Sequence, residues 1–92
     1  MKVALYKLAH GVLRAELDGQ AVLLHPDTGI YHLLNSSGRT ILDRLEDDCP
    51  FETAIAEIAA SSGESEEVVG ADARSFVDAM LERRLLAYVP GT

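Results

Sequence analysis

Among the 92 residues, the segment Val12-Leu13-Arg14-Ala15-Glu16-Leu17-Asp18-Gly19-Gln20-Ala21-Val22-Leu23-Leu24-His25 constrains the fold most. Asp-Gly between two apolar-rich runs supplies the two positive φ values of a type I′ turn. A two-residue loop fixes the register, so Leu17 faces Gln20, Ala15 faces Val22 and Leu13 faces Leu24. That pairing puts an apolar set on one face of the hairpin and Arg14 and Glu16 on the other. Pro26-Asp27-Thr28-Gly29 has the chemistry of a second turn, and residues 30–34 follow as a third strand. With a four-residue loop, Tyr31 and Leu33 share the core face with Val22 and Leu24, while His25, Ile30 and His32 point the other way; a bulge reverses this. As the last strand of a simple meander, this third strand lies at the sheet edge with one row of backbone groups unpaired. Such an edge is covered, blunted or used to capture another chain.

Helices occupy the rest. Asn35, Ser36 or Ser37 caps a helix running through Leu45, with Ile41, Leu42 and Leu45 at one-turn spacing. Pro50 opens a second helix in which Phe51, Ala54, Ile55, Ile58, Ala59 and Ser62 follow the 3.6-residue period, and Gly63 breaks it. Ser65 caps a third helix, Glu66 and Glu67 favour its N-terminal dipole, and the pattern runs to about Leu86. On that helix Val69, Ala73, Phe76 and Met80 form a sufficient core stripe. Gly70, Val77, Leu81 and, if the helix reaches it, Tyr88 extend the apolar surface round one flank to Arg74 and Leu85; the other flank carries Asp72, Ser75, Glu82 and Arg83. A helix with more apolar face than its core needs packs on a second element or lines a groove. Together with the uncovered third strand, that flank makes a slot for one extended peptide. The stretch from Val3 to Leu8 has no clean period and is a fourth strand or an arm.

The length suits a single domain with one core, spanning 1–92. A net charge of −7, from 15 acidic and 8 basic residues, repels phosphate backbones and anionic lipid and suits a basic partner. No segment approaches the roughly 18 apolar residues of a membrane span, and the N-terminal apolar run is too short for a signal-peptide core. With Cys49 as the one cysteine, no internal disulfide forms, and the expected location is the cytoplasm.

Catalytic and cofactor chemistry finds little footing. Cys49 beside Pro50 reads as a small residue capping a helix rather than as a nucleophile. His25 and His32 lie within reach of one metal ion across a hairpin, at about 7 Å, but two ligands do not make a site. No phosphate-binding glycine pattern occurs. The expectation is a protein with no cofactor, no metal and no catalysis of its own.

The stretch from Val22 to Gly38, followed by Ile41, Leu42, Leu45 and two more helices, closely resembles the PqqD-like family over about residues 20 to 88. These are small precursor-peptide recognition proteins of pyrroloquinoline-quinone, lasso-peptide and other ribosomal-peptide pathways. The specific part is Gly-x-Tyr-x-x-Leu-Asn-x-x-Gly, here Gly29, Tyr31, Leu34, Asn35 and Gly38. Two positions depart from it: His32 stands where relatives often carry an aromatic residue, and the Arg83-Arg84-Leu85-Leu86 run lacks the glycine usual near the end of the last helix. The resemblance implies an α+β, winged-helix-like domain, a three-stranded antiparallel sheet followed by three helices. It also implies a leader peptide bound as an added strand between the third strand and the third helix. That is the slot counted above, whose expected contacts are Ile30, Tyr31, His32 and Leu33 on the strand and Val77 and Leu81 on the helix flank, with Arg74 and Asp78 at its polar border. Its partners would be the leader region of a precursor peptide and a maturation enzyme, either a leader peptidase or a radical-SAM protein, with no nucleic acid and no membrane. The competing reading is a winged-helix DNA-binding regulator, against which stands a second helix with Glu52 and Glu57 and no Lys or Arg.

Overall fold

The computed structural model describes residues 4–90. Val3, at the start of the N-terminal stretch read above as a strand or an arm, lies outside the described residues. In chain order the elements are β1 (Ala4–Leu8), β2 (Leu13–Leu17), β3 (Gln20–Leu24), β4 (Tyr31–Leu33), α1 (Ser36–Glu46), α2 (Phe51–Ser62), α3 (Glu66–Glu82) and β5 (Leu86–Pro90). An antiparallel sheet in the order β2-β3-β4 precedes the three helices, and β1 and β5 form a separate antiparallel ribbon. No helix among the described residues is long and apolar enough to cross a membrane.

Asp18 (φ 52°) and Gly19 (φ 80°) make the type I′ turn. The pairs Leu13↔Leu24, Ala15↔Val22 and Leu17↔Gln20 follow from it, and Tyr31↔Leu24 and Leu33↔Val22 extend them. Tyr31 and Leu33 therefore do share a face with Val22 and Leu24, but that face looks outward, with Val22 alone buried among its neighbours. Leu13, Leu17, Tyr31 and Leu33 are all more than half exposed, whereas Ala21 and Leu23 on the opposite face are completely buried. The face expected to be core is the outer one. The reason lies in α1, whose Ile41, Leu42 and Leu45 join Ala21 and Leu23 in one buried cluster. Arg14, on the same inner face, meets the Glu46 carboxylate at 2.5 Å and Asp43 at 2.7 Å, and Arg39 reaches Glu16 at 2.6 Å. The charges of β2 point inward because α1 supplies their counter-ions.

Each helix begins at a residue suited to that position. The Asn35 side chain accepts the Gly38 N–H at 2.8 Å, Pro50 precedes α2, and Ser65 Oγ accepts the Val68 N–H at 3.2 Å ahead of Glu66 and Glu67. Gly38 also lets α3 come close: a Cβ there would lie 2.9 Å from the Phe76 ring. Helix α2 stops at Gly63 (φ 77°).

Helix α3 ends at Glu82, four residues short of the expected Leu86, and Tyr88 belongs to β5. Arg84 adopts φ 59°, its N–H donates to the Leu81 carbonyl, and the Leu85 N–H donates to the Met80 carbonyl. This pair of bonds closes a helix around a left-handed residue, normally glycine. Helix α1 closes in the same way around Asp48 (φ 61°), with the Cys49 N–H on the Arg44 carbonyl. Cys49 thus belongs to the end of α1, and the cap of α2 is Pro50. The chain then turns at Leu85 and Leu86, both buried, to pair β5 with β1.

A side chain in the left-handed region costs about 1 kcal/mol relative to glycine. Arg84→Gly is therefore expected to stabilise the fold by about 0.5–1 kcal/mol, read as a higher urea midpoint with unchanged slope. An unchanged or lowered midpoint would mean that the Arg84 side chain makes a compensating contact.

Candidate functional site

The turn from His25 to Ile30 sets the position of β4. The His25 carbonyl accepts the Gly29 N–H at 2.8 Å, His25 Nδ1 accepts the Asp27 N–H at 3.2 Å, and Thr28 Oγ1 accepts the Ile30 N–H at 3.2 Å. Gly29 takes φ 71°, which the turn requires. His25 is buried at this corner and serves the turn. Among the described residues no group of three His, Cys, Asp or Glu side chains is placed to hold a metal ion.

The ladder shows which backbone groups of β4 remain free. The His25 N–H donates to the Ile30 carbonyl at 3.2 Å, and the Leu34 N–H donates to the Ala21 carbonyl at 2.9 Å. In an antiparallel pair, residues alternate between bonding inward and facing out. Ile30, His32 and Leu34 thus bond to β3, and the N–H and C=O of Tyr31 and Leu33 point to the open edge. β4 is the last strand of its sheet, and no described strand covers that edge.

Just past the end of β4, between the N-terminal turn of α1 and one flank of α3, is an open hollow of about 390 Å³ lined by Asn35, Ser37, Gly38, Ile41, Asp72, Ser75 and Phe76. Asn35, its first lining residue, stands two residues beyond Leu33. His32, half-buried, points from β4 to the inner side of the sheet, while Tyr31 and Leu33 stand on the outer face. A strand added to β4 would alternate likewise, one set of side chains entering beside His32 towards the hollow and the other continuing the outer apolar face.

Ile30, Tyr31, His32 and Leu33 are thus together at the free edge. The four expected residues of α3 are not with them. Val77 is only 2% exposed and lies in the core. Arg74 contacts Glu52 at 3.2 Å and stacks 5.4 Å from the centre of the Phe51 ring, so its flank faces α2. Asp78 and Leu81 fall on that flank at four and seven residues from Arg74, with Asp78 exposed and Leu81 half-buried against the core. The apolar excess of α3 is covered by α2 and the β1–β5 ribbon, where Tyr6 packs edge-on to Phe51 and against Tyr88. The flank that meets the hollow carries Asp72 and Ser75, which the pattern assigned to the other, polar flank, and Phe76 from the core stripe. Gly38 was the available signal, since a glycine in the first turn of a helix marks a close approach.

Cys49 is half-buried, and burial together with the Glu57 carboxylate pushes its thiol up. The thiolate is the reactive form, so a raised thiol is a poor nucleophile at neutral pH. Iodoacetamide is expected to modify Cys49 several-fold more slowly than free cysteine at pH 7.5, with the difference shrinking as pH rises. A rate at or above that of free cysteine would show an activated thiol.

The segment from 20 to 86 matches the family model described as Coenzyme PQQ synthesis protein D (PqqD). It starts at the first residue of β3 and includes β4 and all three helices. Among solved structures, "TbiB1 in Complex with the TbiA(beta) Leader Peptide" is similar, with 32% sequence identity and a TM-score of 0.80 over 87% of this chain and 93% of that one. A comparison with curated protein sequences gives no significant match.

Proposed function

Since this chain belongs to the PqqD family, we propose that it is a non-catalytic adaptor that captures the leader of a ribosomally made precursor peptide and delivers it to a maturation enzyme. The observation that carries this reading is the open edge of β4 beside the hollow against α3, in a chain 32% identical to a protein solved with a leader peptide. The leader adds as a strand: its backbone pairs with Tyr31 and Leu33, and alternate side chains enter the hollow towards Phe76. Backbone pairing supplies much of the affinity irrespective of sequence, and the hollow supplies selectivity. Ordering a disordered leader costs a few kcal/mol, so a net affinity of about −8 to −12 kcal/mol, micromolar to nanomolar, is expected. On α3 this reading uses Asp72, Ser75 and Phe76 in place of Arg74, Val77, Asp78 and Leu81.

The adaptor works in the cytoplasm, where precursor peptides are made, and its enzyme partner is a leader peptidase, as in lasso-peptide pathways, or a radical-SAM protein. A DNA-binding role is disfavoured by α2, which carries Glu52 and Glu57 and no basic residue, and by the net charge of −7.

The edge geometry separates two proline variants. At Leu33 the N–H points outward, so Leu33→Pro removes a bond to the leader and leaves the β3 ladder whole. It is expected to weaken binding of the leader from a neighbouring precursor gene by tenfold or more, with a melting temperature close to that of the parent chain. His32→Pro should destabilise the sheet itself. Undiminished leader affinity in a folded Leu33→Pro variant would rule out strand addition at β4.

A bulky side chain tests the α3 wall. Ser75→Trp is expected to fill the hollow and weaken leader binding about tenfold or more, whereas Asp78→Trp, on the flank towards α2, leaves it unchanged. The reverse pattern in isothermal titration would return the slot to the Arg74 and Leu81 flank.

A further inference from the structure

The sheet has a second free edge, on β2, and its sequence is complementary to itself. The type I′ turn makes Leu17 and Gln20 the bonded pair that closes the hairpin, so Leu17, Ala15 and Leu13 bond to β3. The backbone N–H and C=O of Arg14 and Glu16 therefore face outward, and no described strand pairs with them. The edge runs through five consecutive pairs with no bulge, proline or lysine, and its one protection is the pair of inward-pointing charges, Arg14 and Glu16, which repel a like-charged neighbour and accept an opposite one.

We infer that β2 pairs antiparallel with β2 of a second copy of this chain, about a two-fold axis at Ala15. Only even register sums let the outward groups of two such strands bond each other. Centring on Arg14 sets two arginines face to face, and centring on Glu16 sets two glutamates face to face. Centring on Ala15 places Arg14 opposite Glu16 of the second copy twice over, with Leu13 opposite Leu17 twice over. The two alanines at the axis leave room for close approach. Each opposed pair lies on one face: the ions on the inner side, beside Asp43 and Glu46 of α1, and the leucines on the outer side. Leu13 is 60% and Leu17 53% exposed in the single chain, and each gains an apolar neighbour in the pair.

The register and the charges together select this occupant. The outer face alone would not hold a second copy, because three short strands offer much less than the about 1,200 Å² of a stable complex. An edge of five residues is also small, and each copy brings a net charge of −7. The product is a weak, concentration-dependent dimer with a continuous six-stranded sheet and a free β4 at either end.

Analytical ultracentrifugation of the full chain, from micromolar to millimolar concentration, tests this. A reversible dimer is expected, and Glu16→Pro, which removes an outward N–H and leaves the β3 ladder whole, should weaken it by about tenfold or more while the circular dichroism stays native. Arg14→Glu and Glu16→Arg should each be monomeric alone and should associate when mixed, because the mixture sets two glutamates opposite two arginines. If Arg14→Glu does not fold, Glu16→Pro decides the question. A chain that stays monomeric at millimolar concentration overturns the inference, as does a mixture of folded charge variants that fails to associate. So does a dimer that survives Glu16→Pro and is lost with Tyr31→Ser, which would seat the second copy on the outer face.

Discussion

Helix α1 lies across the inner face of the sheet, with Ile41, Leu42 and Leu45 joining Ala21 and Leu23 in the buried cluster, and the remaining surfaces follow from that contact. Each buried leucine or isoleucine contributes about 1.5–3 kcal/mol. The ion pairs of Arg14 and Arg39 are partly exposed, where such pairs are worth about 0–1 kcal/mol each. The apolar contact therefore sets the stability. Hydrogen bonding to Glu46, opposed by desolvation and reinforced by Asp43, raises the Arg14 guanidinium above its ordinary value, so it stays charged at every accessible pH. What Arg14 adds is choice of face: with it turned inward, Leu13, Leu17, Tyr31 and Leu33 must face out.

Register and face were not equally legible. The Asp-Gly turn specified every pair of the hairpin from the sequence alone, because a two-residue loop leaves one geometry. The choice of core face depended on an alternation that only β2 displays. Ala21-Val22-Leu23-Leu24 is apolar on both sides, so β3 accepts a helix on either face, and the decision passes to α1 and its Asp43 and Glu46. A charged residue inside a sheet is ordinarily an exception, and its partner lies about thirty positions further on.

Non-local pairing also explains the two ends. β1 acquires its identity by pairing with β5, and no local period announces a ribbon whose strands are the first and last elements of the chain. The assignment of the slot to one flank of α3 met a related limit. Its wheel counted the apolar excess correctly, but a wheel does not tell which flank faces the sheet. Tyr6, Phe51 and Tyr88 came from distant segments to pack together, with Phe51 under Arg74, and the hollow opens on the Phe76 side of α3. The family motif located β4 well because Gly29, Tyr31, Leu34 and Asn35 act locally, in one turn, one strand and one cap.

The two free edges of the sheet differ in what they can recognise. β4 is three residues long and directs two residues outward, Tyr31 and Leu33, both without charge. Backbone pairing on so short an edge gives a weak contact, and the additional binding energy has to come from the hollow walled by Asp72, Ser75 and Phe76, which only a peptide with its own side chains can fill. β2 is longer, and its Arg14 and Glu16 discriminate by charge. Two strands separate β2 from a leader on β4, about 14 Å at ordinary strand spacing, with no side chain shared between them. The ladder of β3 is one link, and helix α1 is another, since it holds Arg14 through Asp43 and Glu46 and walls the hollow with Gly38 and Ile41. Leader capture and self-pairing are therefore coupled only through this shared scaffold, and a dimer gains avidity toward a partner that engages both ends of the six-stranded sheet at once.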